Sequence, residues 1–198
     1  FRSEITRSKY SSSGSNANTS INDGLTQSNF FGLRVQDKEI CLNVPDVANV
    51  FAVYQSIDEN AVTLDTATFF TNADINDSVI LGENLIGNDS GTIAKVVTKA
   101  ANQITFVYLN QNRFRTQENV RFQESNVFAQ ISAITPGRYS DITNRFDLDK
   151  GQKDQYYDYS RLVRKDGYPE PSRRITAIHD NYTVPSNDEG DIFTVGSY

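Results

Sequence analysis

From Phe30 onward, the chain consists of short apolar runs separated by clusters of Asn, Asp, Gly and Ser. The runs are rich in Val, Ile, Phe, Thr and Tyr, which favour extended strands, and the clusters between them are typical of tight turns. No long stretch of this region repeats apolar residues at helical spacing. Short strands at such intervals fold into sandwiches or small barrels. The sequence therefore predicts an all-β protein built of small β-barrel or sandwich modules. The main runs are EICLNV, NVFAVYQSI, NAVTLD, DSVILGENLIG, GTIAKVVT, QITFVYLN and NVRFQES.

The composition changes along the chain, and these changes predict its division into modules. Residues 1–27 include a long run of Ser, Asn, Thr and Gly, which cannot bury enough apolar surface to offset the entropy lost on ordering. We interpret them as an extended arm or linker. A Pro-Gly turn signal at residues 136–137 marks a boundary. The prediction is a β-barrel or sandwich module over residues 28–138 and a C-terminal β-module over 139–198. Because the first residue is Phe, we also expect a processed chain or a piece of a longer one.

Two stretches of the middle region align without a gap. They are ENLIGNDSGTIAKVV, residues 83–97, and ENVRFQESNVFAQIS, residues 118–132. The identical positions are Glu83 and Glu118, Asn84 and Asn119, Ser90 and Ser125, and Ala94 and Ala129. The alignment predicts two similar hairpins, each with an acidic turn, a strand, a polar turn and a returning strand. Chance similarity between two β-rich stretches is the alternative.

The charge of the chain bears on its partners. With 19 basic and 25 acidic residues the net charge is −6, which disfavours non-specific nucleic-acid binding. The acidic excess is uneven, since residues 138–174 are slightly basic. A basic island can dock an acidic partner, but the interspersed charges also fit a solvated surface. No segment reaches the ~18 apolar residues of a membrane span, and the first ten residues lack the apolar core of a signal peptide. We expect no membrane partner.

The residue types that usually carry catalysis or metal binding are scarce. The single cysteine, Cys41, follows a charged pair and begins an apolar run, so we expect a small buried side chain. The single histidine, His179, lies in a probable strand beside Asp180, and neighbours on a strand point to opposite faces. We expect His179 to be structural. One Cys and one His do not make a zinc site. The prediction is a protein without enzymatic activity or cofactors.

Residues 147–158, DLDKGQKDQYYD, partly match a calcium-binding loop. Asp147, Asp149 and Gly151 occupy its first, third and fifth positions, but Gln152 and Asp158 stand where that loop has Gly and Glu. Calcium binding is therefore an alternative, and no metal ligand is predicted. A glycosidase is recognised by the spatial separation of two carboxylates, which sequence spacing does not fix. A polysaccharide-degrading enzyme thus remains a minor alternative.

The least ordinary part of the chain is KGQKDQYYDYSRLVRKDGYPEPSRRI, residues 150–175. Tyrosines have large apolar faces with polar tips, and arginines stack on them or pair with carboxylates, so both are enriched at interfaces. We interpret the segment as a junction that acts as a clamp within the protein or against a partner, with a glycan site as the alternative. The predicted interface residues are Tyr156, Tyr157, Tyr159, Arg161, Arg164, Arg173 and Arg174.

The same segment carries a family resemblance. ITNRFDLDKGQKDQYYDYSRLVRKDGYPEPSRRI, followed by GDIFTVGSY at the end of the chain, resembles a stretch of virion structural proteins of tailed bacteriophages. The resemblance is strongest to baseplate and tail-fibre-associated proteins of phages that infect cyanobacteria. It implies a structural module of a phage tail, located in the virion and assembled with other virion subunits as a homo- or hetero-oligomer. A receptor-binding module that contacts a host surface glycan is the alternative. The resemblance implies no catalytic residues.

Overall fold

The computed structural model describes residues 2–5, 35, 37–42, 44–58, 60–70, 75–152, 158–181, 183–185 and 192–194. The all-β prediction is confirmed, because the regular structure consists almost wholly of antiparallel strands. Among these described residues, helix is limited to one turn, α1 (Ile75–Ser78), and a 3-10 turn, Thr143–Arg145. The strands are β1 (Arg2–Ile5), β2 (Glu39–Cys41), β3 (Val47–Gln55), β4 (Asp65–Phe69), β5 (Asn84–Gly87), β6 (Ile93–Ala100), β7 (Gln103–Tyr108), β8 (Asn119–Phe122), β9 (Phe128–Thr135), β10 (Ser140–Asp141), β11 (Phe146–Asp149), β12 (Arg161–Arg164), β13 (Ile175–Asn181), β14 (Thr183–Pro185) and β15 (Ile192–Thr194).

The chain folds into two compact units. One, the split unit, combines two segments, Phe1–Ala61 and Ser140–Tyr198, and the other, the barrel, is Val62–Tyr139. In the split unit, one sheet has the strand order β1-β13-β3-β10 and a second has the order β11-β12-β2. β14 and β15 pair with each other antiparallel. The apolar core of the split unit includes Val53, Ile142, Leu162, Ile175 and Ala177.

The barrel is a closed sheet with the strand order β4-β7-β6-β5-β8-β9. Buried and exposed residues alternate along β8 and β9, as they must when one face of each strand points into the barrel. Phe69, Phe106 and Phe122 fill the interior, and the rings of Phe69 and Phe122 meet edge to face with centroids 5.7 Å apart. Closure pairs every strand on both sides, so the barrel has no free strand edge.

The two hairpins predicted from the internal alignment are confirmed. The first is β5–β6 and the second is β8–β9. Counterpart residues even share unusual backbone angles: Gly82 and Gln117, and likewise Gly91 and Asn126, all have positive φ. Chance similarity does not account for this agreement.

The repetition extends to the whole barrel. β5 and β8 pair about Ile86 and Arg121, which are counterparts in the alignment, and β4 and β7 pair about Ala67 and Ile104. The strand register also slips at matching places, between Val96 and Thr98 in β6 and opposite Phe69 in β9. The barrel therefore consists of two three-stranded repeats, β4–β5–β6 and β7–β8–β9, related by a local two-fold axis.

The observed division differs from the predicted modules over 28–138 and 139–198. β2 and β3 pair with β12 and β13, so residues 39–55 belong with the C-terminal segment and the barrel begins only at Val62. The physical reason is that Val53 pairs with Ala177, and the whole barrel lies between these two residues in the sequence. Local sequence patterns do not encode such distant pairing. Of the predicted arm, residues 1–27, only Arg2–Ile5 is described, as strand β1 beside β13.

One strand prediction was too long. The run DSVILGENLIG becomes a strand only at Asn84–Gly87, whereas its first residues, Asp77 and Ser78, end the helical turn α1. Asn, Asp and Ser close to Ile75 favour a local turn over a ladder, because their side chains compete for backbone hydrogen bonds.

Candidate functional site

Arg161 lies at the centre of the Tyr/Arg segment and holds three parts of the split unit together. β12 is the middle strand between β11 and β2, and Arg161 is its first residue. Its Nη1 atom lies 3.2 Å from Glu39 Oε2, and its Nη2 atom bonds Asp158 Oδ2. The side chain is only 13% exposed. Arg161 therefore acts as a clamp within its own unit.

Two further lysines of the split unit pair with acids that are distant in sequence. Lys165 Nζ lies 3.2 Å from Asp147 Oδ1 and also donates to the Asn144 carbonyl at 3.1 Å. Lys38 bonds Asp166, and this hydrogen bond, together with the lysine charge, lowers the pKa of the Asp166 carboxyl below its ordinary value. In the folded unit, charged residues of the basic region are thus paired with opposite charges, Lys165 with Asp147 and Asp166 with Lys38.

The described ends of the link between β11 and β12 are joined through their backbones. Gly151 has φ +73°, and its carbonyl accepts a hydrogen bond from Asp158 N at 2.8 Å. A Cβ atom at residue 151 would lie 2.2 Å from the Asp158 carbonyl oxygen, so only glycine fits. Ser160 is buried, and its hydroxyl accepts a hydrogen bond from Val47 N at 3.0 Å. These contacts hold the backbone next to Arg161 in position without any help from the ion pairs of its side chain.

The structure places the predicted interface residues unevenly. Tyr156 and Tyr157 lie outside the described residues. Tyr159 is exposed, whereas Arg164, Arg173 and Arg174 are half-buried. Tyr159 and Arg161 lie together at the start of β12, while Arg173 and Arg174 precede β13. The segment therefore presents both a clamp within the unit and an exposed tyrosine beside it.

The calcium-like loop does not assemble as a cation site in the described residues. Asp147 and Asp149 lie on β11, where Asp147 pairs with Lys165 and Asp149 Oδ1 accepts a hydrogen bond from Gly151 N at 2.9 Å. Asp158 bonds Arg161. Within the ranges described above, no group of three or more His, Cys, Asp or Glu side chains is arranged to hold a metal ion.

The single cysteine and the single histidine are both buried within strands of the split unit. Cys41 is buried in β2 and forms no disulfide, which confirms the expectation of a small buried side chain. His179 is buried in β13, opposite Val50 of β3. Its neighbour Asp180 accepts a hydrogen bond from Asn49 N at 2.8 Å, which ties β13 to β3.

In the barrel, two buried glutamates that sequence reasoning left without a role tie the repeats together. Glu83 accepts hydrogen bonds from Glu124 N and Ser125 N, both at 2.9 Å, in the turn of the other hairpin. Glu118 accepts the symmetric bonds from Asp89 N at 2.9 Å and Ser90 N at 2.6 Å. The identity of Glu83 and Glu118 in the alignment was the signal that could have identified this pair. We call the two residues the glutamate latches.

The pKa of Glu118 reflects two opposing effects. Burial raises the pKa of the carboxyl, but hydrogen bonds from Ser90, Arg115 and Asp89 outweigh burial, and the net pKa lies below the ordinary value of 4.5. Gly87 makes room for the charge, since a Cβ atom there would lie 2.5 Å from Glu118 Oε1. The latch is thus a carboxylate held by backbone donors in a site shaped for it.

One side of the barrel bears an open groove of about 380 Å³. This volume falls within the range of about 300–1,000 Å³ that is usual for small-molecule sites. Two phenylalanines on it are unusually exposed, Phe128 at 62% and Phe70 at 45%. Among the described residues that line it, none carries a formal charge. We call this surface the aromatic groove and define it by Phe70, Asn88, Asn119, Phe128 and Gln130.

Sequence reasoning did not identify the aromatic groove. Its residues come from the end of β4, the β5–β6 turn, β8 and β9, and no local motif links these places. The one available signal was in the alignment, where Phe128 stands opposite Ile93 and Gln130 opposite Lys95. Such differences between repeats mark positions where the two halves of the barrel diverge.

Comparisons with family models, curated proteins and solved structures found no significant match to the chain. Within the part of the chain that the structure describes, no helix has the length and apolar character needed to cross a bilayer.

Proposed function

We propose that this chain is a structural module of a phage tail, of the baseplate or tail-fibre type, which assembles with other virion subunits. The proposal rests first on the resemblance of residues 142–198 to such proteins. The observation that supports it is the use of the resembling segment as a clamp, because Arg161 on β12 pairs with Glu39 on the neighbouring strand β2 and with Asp158 in the link before β12. A segment whose charged side chains are engaged in this way contributes rigidity, which suits a building element.

One aromatic side chain of the segment is exposed beside the clamp. Tyr159 is exposed at the start of β12, and Tyr156 and Tyr157 precede it in the sequence. An exposed tyrosine beside a rigid strand favours contact with a second subunit, since it buries a large area with little loss of rotamer entropy. In a tail, symmetric copies of the module would repeat this contact around the tail axis.

The proposal is tested on particles of the phage that encodes the chain. Mass spectrometry of purified virions is expected to detect the chain in a copy number set by the tail symmetry, and immunogold labelling is expected to mark the tail. Tyr159→Ala is expected to reduce incorporation of the chain into particles. Tyr168→Ala, a similarly exposed tyrosine beyond β12, is the matched control and is expected to leave incorporation unchanged. Particles that lack the chain altogether would overturn the proposal.

A further inference from the structure

The local two-fold axis of the barrel supplies an internal reference for the aromatic groove. Each groove residue has a counterpart on the symmetry-related face of the other repeat, which we call the reference face. The counterparts of Phe70, Asn88, Asn119, Phe128 and Gln130 are Val107, Gln123, Asn84, Ile93 and Lys95. Both faces meet the same folding requirements, so differences between them indicate what the groove does beyond folding.

The amide side chains of the two faces differ in their hydrogen bonds. On the reference face, Asn84 Nδ2 donates to Gln123 Oε1 at 3.0 Å, so these two amides are joined, although the buried Asn84 Oδ1 atom has no partner among the described residues. In the groove, neither Asn88 nor Asn119 makes a side-chain hydrogen bond with any described residue, although their backbones are joined. Gln130 donates through Nε2 to the Gln117 carbonyl at 3.0 Å and keeps its Oε1 atom for another partner. The groove thus offers donors and acceptors that the fold does not use.

The apolar side chains differ in the same sense. Val107 is buried in the reference half of the barrel and Ile93 is 37% exposed, whereas both groove counterparts are phenylalanines exposed by 45% or more. Exposing two large aromatic rings on one groove costs hydration free energy and contributes nothing to the barrel core. A ligand that covers the rings would recover that free energy.

The combination of rings and amides defines the chemical class of the ligand. A sugar presents C–H groups on one face of its ring, which pack on the negative face of an aromatic ring, and hydroxyls at its rim, which bond amides. The described lining has no charged side chain, which favours a neutral ligand. We therefore propose that the aromatic groove binds a neutral saccharide, independently of whether the chain belongs to a tail.

Two other ligand classes fit less well. A peptide is commonly bound by adding a strand to a free sheet edge, and every strand of the closed barrel is paired on both sides. A nucleic acid needs cations along its path, but the chain has a net charge of −6. One cation, Arg121, lies over the Phe128 ring at 5.9 Å from its centroid, but it already donates to Asn126 Oδ1 at 3.1 Å.

The test is titration of the full chain with neutral oligosaccharides of glucose, galactose and N-acetylglucosamine, followed by calorimetry. We expect binding of at least one of them, with little dependence on salt because no charges pair. Phe128→Ala is expected to weaken binding at least about ten-fold, since removing an anchoring ring typically costs more than 1 kcal/mol. Ile93→Ala, the counterpart on the reference face, is the matched control and is expected to change affinity less than about two-fold.

Asn119→Ala is a second variant, which removes an amide and leaves both rings in place. It is expected to weaken binding and to alter the preference among the three sugars, because the amide reads hydroxyl positions. Circular dichroism of each variant shows whether the barrel stays folded; both side chains are exposed, so we expect no change. Absence of binding to every neutral oligosaccharide, or equal losses for Phe128→Ala and Ile93→Ala, would overturn the proposal. Tighter binding of acidic sugars, peptides or single-stranded DNA would do the same.

Discussion

The barrel and the split unit are both antiparallel, but they join distant parts of their chains by different means. In the barrel, the buried glutamate latches accept hydrogen bonds from backbone N–H groups in the turn of the other repeat. The split unit also has backbone-to-side-chain bonds, such as Asn49 N to Asp180 Oδ1, but its carboxylates pair in addition with cationic side chains, from the largely buried Arg161 to the exposed Lys38 and Asp166. The comparison separates contacts that determine stability from contacts that add little to it.

The physical reason lies in what happens when one partner is removed. Backbone donors around a buried carboxylate cannot move to water, so the loss of the carboxylate leaves several of them unsatisfied. An exposed ion pair that is broken exchanges its partner for water at little cost. Four substitutions, two in each unit, test this ordering.

The largest effect is expected for Glu83→Ala. Its carboxylate accepts four hydrogen bonds, from Ile80 N, Glu124 N, Ser125 N and Ser125 Oγ, at distances between 2.7 and 2.9 Å. Since a hydrogen bond to a charged group contributes about 1.5–3 kcal/mol and losses of neighbouring bonds are not additive, we expect a loss of about 3–5 kcal/mol in the free energy of unfolding. Urea unfolding, with amide hydrogen exchange resolved on the barrel strands, measures it.

Asp89→Asn is the control for Glu83→Ala, because it removes an exposed carboxylate from the equivalent turn of the first hairpin. It is expected to leave the unfolding free energy nearly unchanged. If the two variants lose stability equally, the latches are ordinary turn carboxylates and the comparison between the units fails.

The second effect concerns pH. The pKa of Glu118 is lower in the folded chain than its ordinary value of 4.5, because its backbone hydrogen bonds outweigh burial. A group with a lowered folded pKa contributes stability above its unfolded pKa and loses that contribution as pH falls through the folded pKa. We therefore expect barrel stability to decline as pH drops below 4.5. Glu118→Gln is expected to be less stable at neutral pH and to depend less steeply on acid in urea titrations at stepped pH.

Glu118→Gln tests whether the charge of the latch carboxylate matters, because of the hydrogen bonds that surround it. The glutamine keeps the shape of the side chain but presents one acceptor and one donor to N–H groups that all donate. A variant as stable as the wild type at neutral pH, with an unchanged acid profile, would show that the carboxylate charge is irrelevant to the latch.

How far the sequence predicted these features depended on whether each one was local. Alternating apolar runs identified most strands, and the identity of Glu83 with Glu118 identified the two hairpins, since each is formed by neighbouring residues. The pairing of β3 with β13 was missed because the residues of the whole barrel separate these two strands in the sequence. The role of each latch was missed for a related reason: its partners lie in the other hairpin.

The candidate sites follow the same rule. The Tyr/Arg segment was recognised because its residues are contiguous, yet the partner of Arg161 at Glu39 lies far away in the chain. The aromatic groove takes residues from four separate elements, so composition and spacing contain no trace of it. Only the difference between aligned repeats, Phe128 against Ile93, indicated that one face had diverged.

A smaller effect is expected for Arg161→Gln in the split unit. The side chain is largely buried, and its removal leaves Asp158 without its cation, whereas Glu39 can turn to water. We expect a loss of about 1–3 kcal/mol, between the values for exposed and fully buried pairs. Hydrogen exchange is expected to speed up in β2, β11 and β12. Arg161→Lys should recover only part of the loss, because a lysine cannot bond both carboxylates with a planar fork.

The smallest effect is expected for Asp166→Asn. Asp166 is 93% exposed and bonds Lys38, which is also exposed, so water and salt replace either partner at little cost. The lowered pKa of Asp166 reports its hydrogen bond and the lysine charge, but an exposed pair transmits little of this to folding. We expect unfolding curves that overlay those of the wild type, and a double-mutant cycle with Lys38→Gln that shows no coupling at physiological salt. A coupling free energy that approached the effect of Arg161→Gln would contradict this expectation. It would mean that exposed ion pairs stabilise the split unit as the latches stabilise the barrel, and that burial does not determine how much each contact contributes.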